Sequence, residues 1–71
     1  MADSVYKFIE LVGTSSESWE KAAAAAVTQA SKSVRDLRVA EIVQLDVAIE
    51  NGKIKSYRAK VKLSFKSESK G

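Results

Sequence analysis

The chain has 71 residues, 45% of them apolar, a net charge of +3, and neither Cys nor His. One domain fits in that length, disulfides and thiolate metal sites are excluded, and the commonest general base and usual zinc or copper ligand are missing. A core this small is marginally stable, so with disulfides gone, oligomerisation is the support left.

Val5 to Val12 is rich in β-branched and aromatic residues and reads as a first strand ending at Gly13. Gly13-Thr14-Ser15-Ser16-Glu17 then supplies a turn and a helix start. Thr14 and Glu17 have capping-box spacing, with Ser15 and Ser16 as rival caps. From Ser16 to about Val34 the period becomes helical. Trp19, Ala23, Ala26, Val27, Ala30 and Val34 form one stripe. The run Ala22 to Ala26 has the highest helix propensity and keeps the helix slim enough for close backbone approach. Some 19 residues would span about 28 Å.

Arg35 to Arg38 links this helix to a long hairpin folded at Asn51-Gly52. Between Val39 and Ile49 every odd position except Glu41 is apolar. On the return arm Tyr57, Ala59, Val61, Leu63 and Phe65 alternate with Arg58, Lys60, Lys62, Ser64 and Lys66. A two-residue loop would set Leu45 opposite Arg58, an apolar row beside a basic one. A three-residue loop with Gly52 left-handed aligns Val43, Leu45 and Val47 with Tyr57, Ala59 and Val61, and is favoured; a bulge elsewhere in the strands is the competing solution. The fold class is therefore α+β, in the order β-α-β-β: a three-stranded antiparallel sheet with one helix packed on a face. Residues 1–71 form a single domain, with an ordered core from about Ser4 to Lys66 and a frayed tail from Ser67 to Gly71. Each hairpin arm would reach about 36–43 Å, which one helix cannot cover together with a third strand. Another copy of the chain is the expected cover.

The sequence offers little for catalysis. Gly13-Thr14-Ser15 is neither a P-loop nor a dinucleotide fingerprint, and no carboxylate spacing marks an acid–base pair, so the expectation is a protein that is not an enzyme. Asp46 and Glu50 bracket a strand end near Asn51 and are the candidate ligands for a hard cation such as Ca²⁺, which takes oxygen donors. Trp19, within the helical stripe, is assigned to core or subunit packing. Arg58, Lys60 and Lys62 form a basic row that could hold nucleic-acid or nucleotide phosphates, without an aromatic stacking platform inside the row. No apolar run is long enough to span a bilayer and the first residues lack a secretory pattern, so the expected setting is cytoplasmic, with no membrane partner.

The ordered features resemble a known family. Val5-Tyr6-Lys7, the turn Val12-Gly13-Thr14-Ser15, the Ala-rich helix, Val39-Ala40-Glu41-Ile42 and the strand from Tyr57 to Phe65 together look like the dodecins, from about Ser4 to Phe65. The resemblance implies a homododecameric hollow shell holding a small ligand, commonly a flavin (FMN or riboflavin), at subunit contacts. It implies cofactor-pocket positions at or beside Val39, Glu41, Asp46 and Arg58. In flavin-binding dodecins a Trp that stacks on the flavin stands two residues before the Glu matching Glu41; here that place is Val39. A Gln that hydrogen-bonds the ring is here Arg58, and an Arg of many bacterial members is here Asp46. Ser18-Trp19-Glu20, Arg38-Val39-Ala40 and Tyr57-Arg58 look closest to a calcium-binding branch. The expected function is ligand or ion storage or buffering by an oligomeric shell, with weak or no flavin binding and with Ca²⁺ as the expected ion. A conventional flavin-storage protein is the alternative, and a basic nucleic-acid or nucleotide-phosphate binder is the alternative of another class.

Overall fold

A computed structural model describes residues 5–66, so the tail expected to fray lies outside the described residues. The elements are β1 (Tyr6–Ser15), α1 (Trp19–Ser31), β2 (Leu37–Glu50) and β3 (Lys53–Lys66). They build the expected β-α-β-β fold, with both pairings antiparallel and β3 central in the order β1-β3-β2.

Several boundaries differ from expectation. β1 runs two residues past Gly13, which leaves Thr14 in the ladder opposite Arg58 and unable to cap a helix. The cap is Ser18, with extended backbone (φ −166°), whose hydroxyl accepts from the Lys21 N–H at 3.0 Å. Ser15 Oγ accepts from the Glu17 N–H at 3.0 Å and shapes the approach. The helix also stops at Ser31 rather than near Val34, with about 20 Å of length. Ser31 Oγ donates to the Thr28 carbonyl at 2.8 Å, and the Ser33 and Val34 amides both donate to the Ala30 carbonyl. A hydroxyl that competes for backbone carbonyls favours a helix end. Asp36, at φ 59°, then turns the chain into β2.

The core is a thin layer of small residues. Ala22, Ala26 and Ala30 of α1 are buried against Ala59, Val61 and Leu63 of β3, with Ile9, Leu11, Ala23, Val27 and Leu37 around them. Ala26 and Ala30 belong to the expected stripe, Ala22 does not, and Trp19 at the helix start remains partly exposed. Gly13 permits the contact between α1 and β1. A Cβ there would lie 1.9 Å from the Ala22 carbonyl oxygen and 3.1 Å from the Ala26 nitrogen.

The hairpin loop is two residues, Asn51 and Gly52, both left-handed (φ 53° and 74°), closed by Glu50 opposite Lys53. The three-residue loop is therefore corrected, and the competing bulge is the solution used. Ala48 pairs with Ser56 but Ile49 pairs with Ile54, so Lys55 is the extra residue that returns odd positions to odd partners. The register then gives Val47 opposite Tyr57 and Leu45 opposite Ala59, as expected. Val43 does not follow. It is the extra residue of a second bulge, and Ile42 faces Val61 instead. A third irregularity at Arg38 restores Leu37 opposite Phe65.

The helix lies over β1 and β3 and barely reaches β2. On the helix side Ile42, Leu45, Ile49 and Ile54 are consequently exposed, and on the other side so are Phe8, Val12 and Val39. Both faces of the sheet therefore carry uncovered apolar side chains.

Candidate functional site

The residues with chemistry to offer collect on the sheet face away from the helix. From β1 through β3 to β2 its rows are Thr14–Arg58–Asp46, Val12–Lys60–Gln44, Glu10–Lys62–Glu41 and Phe8–Ser64–Val39. Strict alternation along β2 would send Val39 and Glu41 to one face and Asp46 to the other. The bulge at Val43 changes the parity, so Val39, Glu41, Asp46 and Arg58 all share this outer face. They form two groups. Val39 and Glu41 lie near the start of β2, while Asp46 and Arg58 face each other near the hairpin end. Six positions of β3, about 20 Å, separate the rows of Val39 and Arg58.

Asp46 is the best-connected residue of the four. Arg58 Nε donates to its Oδ1 at 2.8 Å and a terminal Arg58 nitrogen donates to its Oδ2 at 3.4 Å, a two-point grip of guanidinium on carboxylate. The hydrogen bond and then the charge of Asp46 hold the Arg58 pKa above the ordinary guanidinium value, outweighing a small opposing effect of burial. Both side chains remain nearly half exposed, so salt weakens the pair. The main-chain carbonyl of Asp46 accepts the indole N–H of Trp19 at 3.0 Å. The Trp19 ring meets Tyr57 edge-on, with centroids 5.0 Å apart and planes at 78°. Trp19 thus ties the first turn of α1 to β2 and β3 at the residues flanking the ion pair.

Glu50, four residues further along β2, lies within 3.7 Å of the ammonium of Lys55, the residue displaced by the hairpin bulge. Asp46 and Glu50 project from the same side of β2 about 13 Å apart, beyond what one ion can bridge at Ca²⁺–oxygen distances. Among the described residues no three acidic side chains come together. One subunit therefore supplies single carboxylates, each already facing a cation of its own.

Val39 is 57% exposed and brings no aromatic surface. The ring sharing its row is Phe8, two strands away on β1, and Lys62 Nζ sits 4.6 Å over that ring. Lys62 also stands in register between Glu10 and Glu41, and Arg58 is taken by Asp46, which leaves Lys60 between the uncharged Val12 and Gln44. The basic row of β3 is thus flanked by carboxylates from both neighbouring strands, which lowers its field toward phosphate. Two participants escape a sequence reading. Nothing local to Trp19 points to Asp46, 27 residues away. Phe8 had a signal: β1 is apolar on both of its faces, which marks a strand to be covered on both sides.

Among the described residues no helix is long and apolar enough to cross a membrane. A family model described as Dodecin matches residues 5–68. The calcium dodecin of Mycobacterium tuberculosis is 53% identical over 64 residues, 89% of this chain and 89% of that protein. The dodecin of Thermus thermophilus is 38% identical over 64 residues, 90% of this chain and 93% of that one. Among solved structures, the dodecin of Streptomyces coelicolor superposes with a TM-score of 0.90 at 34% identity, covering 99% of this chain and 100% of that one. The M. tuberculosis calcium dodecin, described as a calcium-chelating antigen with a novel calcium-binding site, superposes with a TM-score of 0.82 at 46% identity, covering 96% and 97%.

Proposed function

This chain belongs to the dodecin family, and on that premise we propose that it is a non-enzymatic shell of its own copies, a homododecamer, that binds Ca²⁺ at subunit contacts and takes up flavin weakly or not at all. The observation that carries the reading is Val39. It stands exposed on the outer face at the position where the family resemblance calls for a stacking Trp, and an isopropyl group has no ring to lay against an isoalloxazine. At the companion position Arg58 is already held by Asp46 and has no acceptor to offer a ligand.

Self-assembly is supported by the apolar side chains left open on both faces of a body 56 Å long but only 13 Å thick. Ca²⁺ is supported by the name of the 53% identical relative and by donor chemistry: Asp46 and Glu50 are hard oxygen ligands on the exposed face. They fit in kind and fall short in number, because Ca²⁺ takes six to eight oxygens. The rest of each set comes from water and from a neighbouring copy. When bound, the ion would supply charge that draws carboxylates of two copies together, with Asp46 or Glu50 as a separate single ligand from each copy.

The test is titration of the purified assembly with CaCl₂ by calorimetry, and separately of riboflavin with the assembly by flavin fluorescence. Saturable Ca²⁺ binding with no micromolar quenching of riboflavin supports the reading. Micromolar quenching would return the protein to flavin storage.

A further inference from the structure

The hairpin of β2 and β3 outruns the rest of the fold. β1 ends at Ser15, opposite Tyr57, and Trp19 at the start of α1 reaches Asp46 and Tyr57. From Ala48 to Ser56 the two arms therefore pair only with each other. At the tip, Asn51 and Gly52 form the two-residue loop, both exposed and both left-handed (φ 53° and 74°). Ile49 and Ile54 beside them are 68% and 56% exposed. A two-stranded hairpin is marginal on its own, so this end can open locally while the core between α1 and β3 stays packed.

We propose that Asn51 is a site of spontaneous covalent modification: the Gly52 main-chain nitrogen attacks its side-chain amide, and an acid is left at a hairpin tip that stays open to water in the assembly. The Gly52 N–H gives its proton to hydroxide, and the nitrogen bonds to Asn51 Cγ to close a five-membered imide. The Cγ–Nδ2 bond breaks, and Nδ2 leaves as ammonia after taking a proton from water. Water then adds across one of the two ring C–N bonds. Opening at Cγ gives an ordinary aspartate at position 51. Opening at the main-chain carbonyl carbon gives a β-linked aspartate, whose backbone is one carbon longer. Water and hydroxide are the only co-reactants, and nothing is oxidised or reduced.

Three features favour the reaction here. Asn is among the thermolabile residues. Its attacker is unscreened: Gly52 carries no Cβ, and a Cβ built there would meet nothing within 4 Å. Ring closure also needs the Asn51–Gly52 peptide to rotate out of the turn, which the thin end of the hairpin allows at the cost of a local opening. The new carboxylate stands next to Glu50, where Lys53 pairs in register and the Lys55 ammonium lies 3.7 Å from the Glu50 carboxylate, so cations offset the repulsion. Each conversion lowers the net charge of +3 by one, and the β-linked product lengthens the loop. Aged copies thus differ from new ones at the tip, whatever the shell binds.

Asn51 is the only Asn in the chain, so the mass of the intact protein reports on it. The experiment incubates the folded assembly, its N51G and N51Q variants and a synthetic peptide of residues 47–57 side by side in mildly alkaline buffer. Intact mass and isoaspartate content are followed with time. The wild type should gain the mass of an amide-to-acid exchange, with isoaspartate at position 51, at a rate within about thirtyfold of the peptide, a factor that corresponds to about 2 kcal/mol for opening the tip. N51G keeps a residue suited to the left-handed turn and has no amide to lose, so it should gain nothing. N51Q would have to close a six-membered ring, so it should also stay unchanged, and it serves as the control if N51G does not assemble. A wild type that is unchanged or more than about thirtyfold slower than the peptide would overturn the proposal. So would an equal mass gain in the variants.

Discussion

Replacing Gly13 with Ala puts a methyl group where the backbone of α1 already is. The new Cβ lies 1.9 Å from the Ala22 carbonyl oxygen, whereas ordinary contact begins near 3.4 Å, so the helix must retreat by roughly 1.5 Å. No side-chain rotation relieves this, because the clash is with main chain, and trimming Ala22 to Gly would not help. A retreat of that size exceeds the gap of about 0.5–1 Å that forfeits a quarter to a half of a van der Waals contact, so Ala22, Ala26 and Ala30 largely lose their seats. Overpacking costs typically about 1–3 kcal/mol where neighbours can give, and here they cannot, so about 3 kcal/mol or more is expected. At about 4–8 °C per kcal/mol for a domain of this size, G13A should melt at least about 12 °C below the wild type. Circular dichroism at matched protomer concentration measures it, since assembly couples stability to concentration. A fall of less than about 4 °C would refute the close approach of helix and strand.

Four other outcomes follow from the same geometry. G52A meets no atom within 4 Å but forces a left-handed φ of 74° on an L-residue, so it should cost about 1–2 kcal/mol while N51G stays near neutral; equal melting points for the two would contradict the two-residue left-handed turn. V39W should tighten riboflavin binding by roughly tenfold or more, the scale of one stacking contact, and unchanged fluorescence quenching would show that the outer face near Val39 is not where a flavin could lie. W19F keeps a ring beside Tyr57 but loses the donor to Asp46, so about 0.5–1.5 kcal/mol of stability should go; a neutral result by thermal melting would mean that the indole N–H finds equal partners in water. Arg58 has its pKa raised in the folded state, so its contribution is fully present below the unfolded value and is lost only as the pH climbs through the still higher folded one. The gap in melting temperature between wild type and R58Q should therefore stay level from about pH 6 to 10, and a gap that closes in this window would contradict the assignment.

The order and type of every element were legible because each carries its own period, two for the strands and three to four for the helix. The hairpin position was legible from Asn51-Gly52, but not the loop length, since two compensations restore the same register and only tertiary packing chooses Lys55 as the extra residue. The helix start was misplaced because Thr14, Ser15, Ser16 and Ser18 are all chemically competent caps. What decides among them is how far β1 pairs with β3, a long-range matter. The site depended on the least readable feature. Val43 looks like one more alternating apolar residue, yet as a bulge it changes the facing of residues 39–42 and brings Val39 and Glu41 onto the face of Asp46 and Arg58. The family resemblance pointed to those four positions; nothing in their spacing showed that they share a surface.

The central claim is an assembly of this chain that carries little or no flavin. Light scattering of the purified protein, with the visible absorption spectrum recorded across the same elution peak, tests it most directly. The account predicts a single species of about twelve times 7.7 kDa with no flavin absorption. A peak at the mass of one chain, or one coloured yellow by bound flavin, would contradict it.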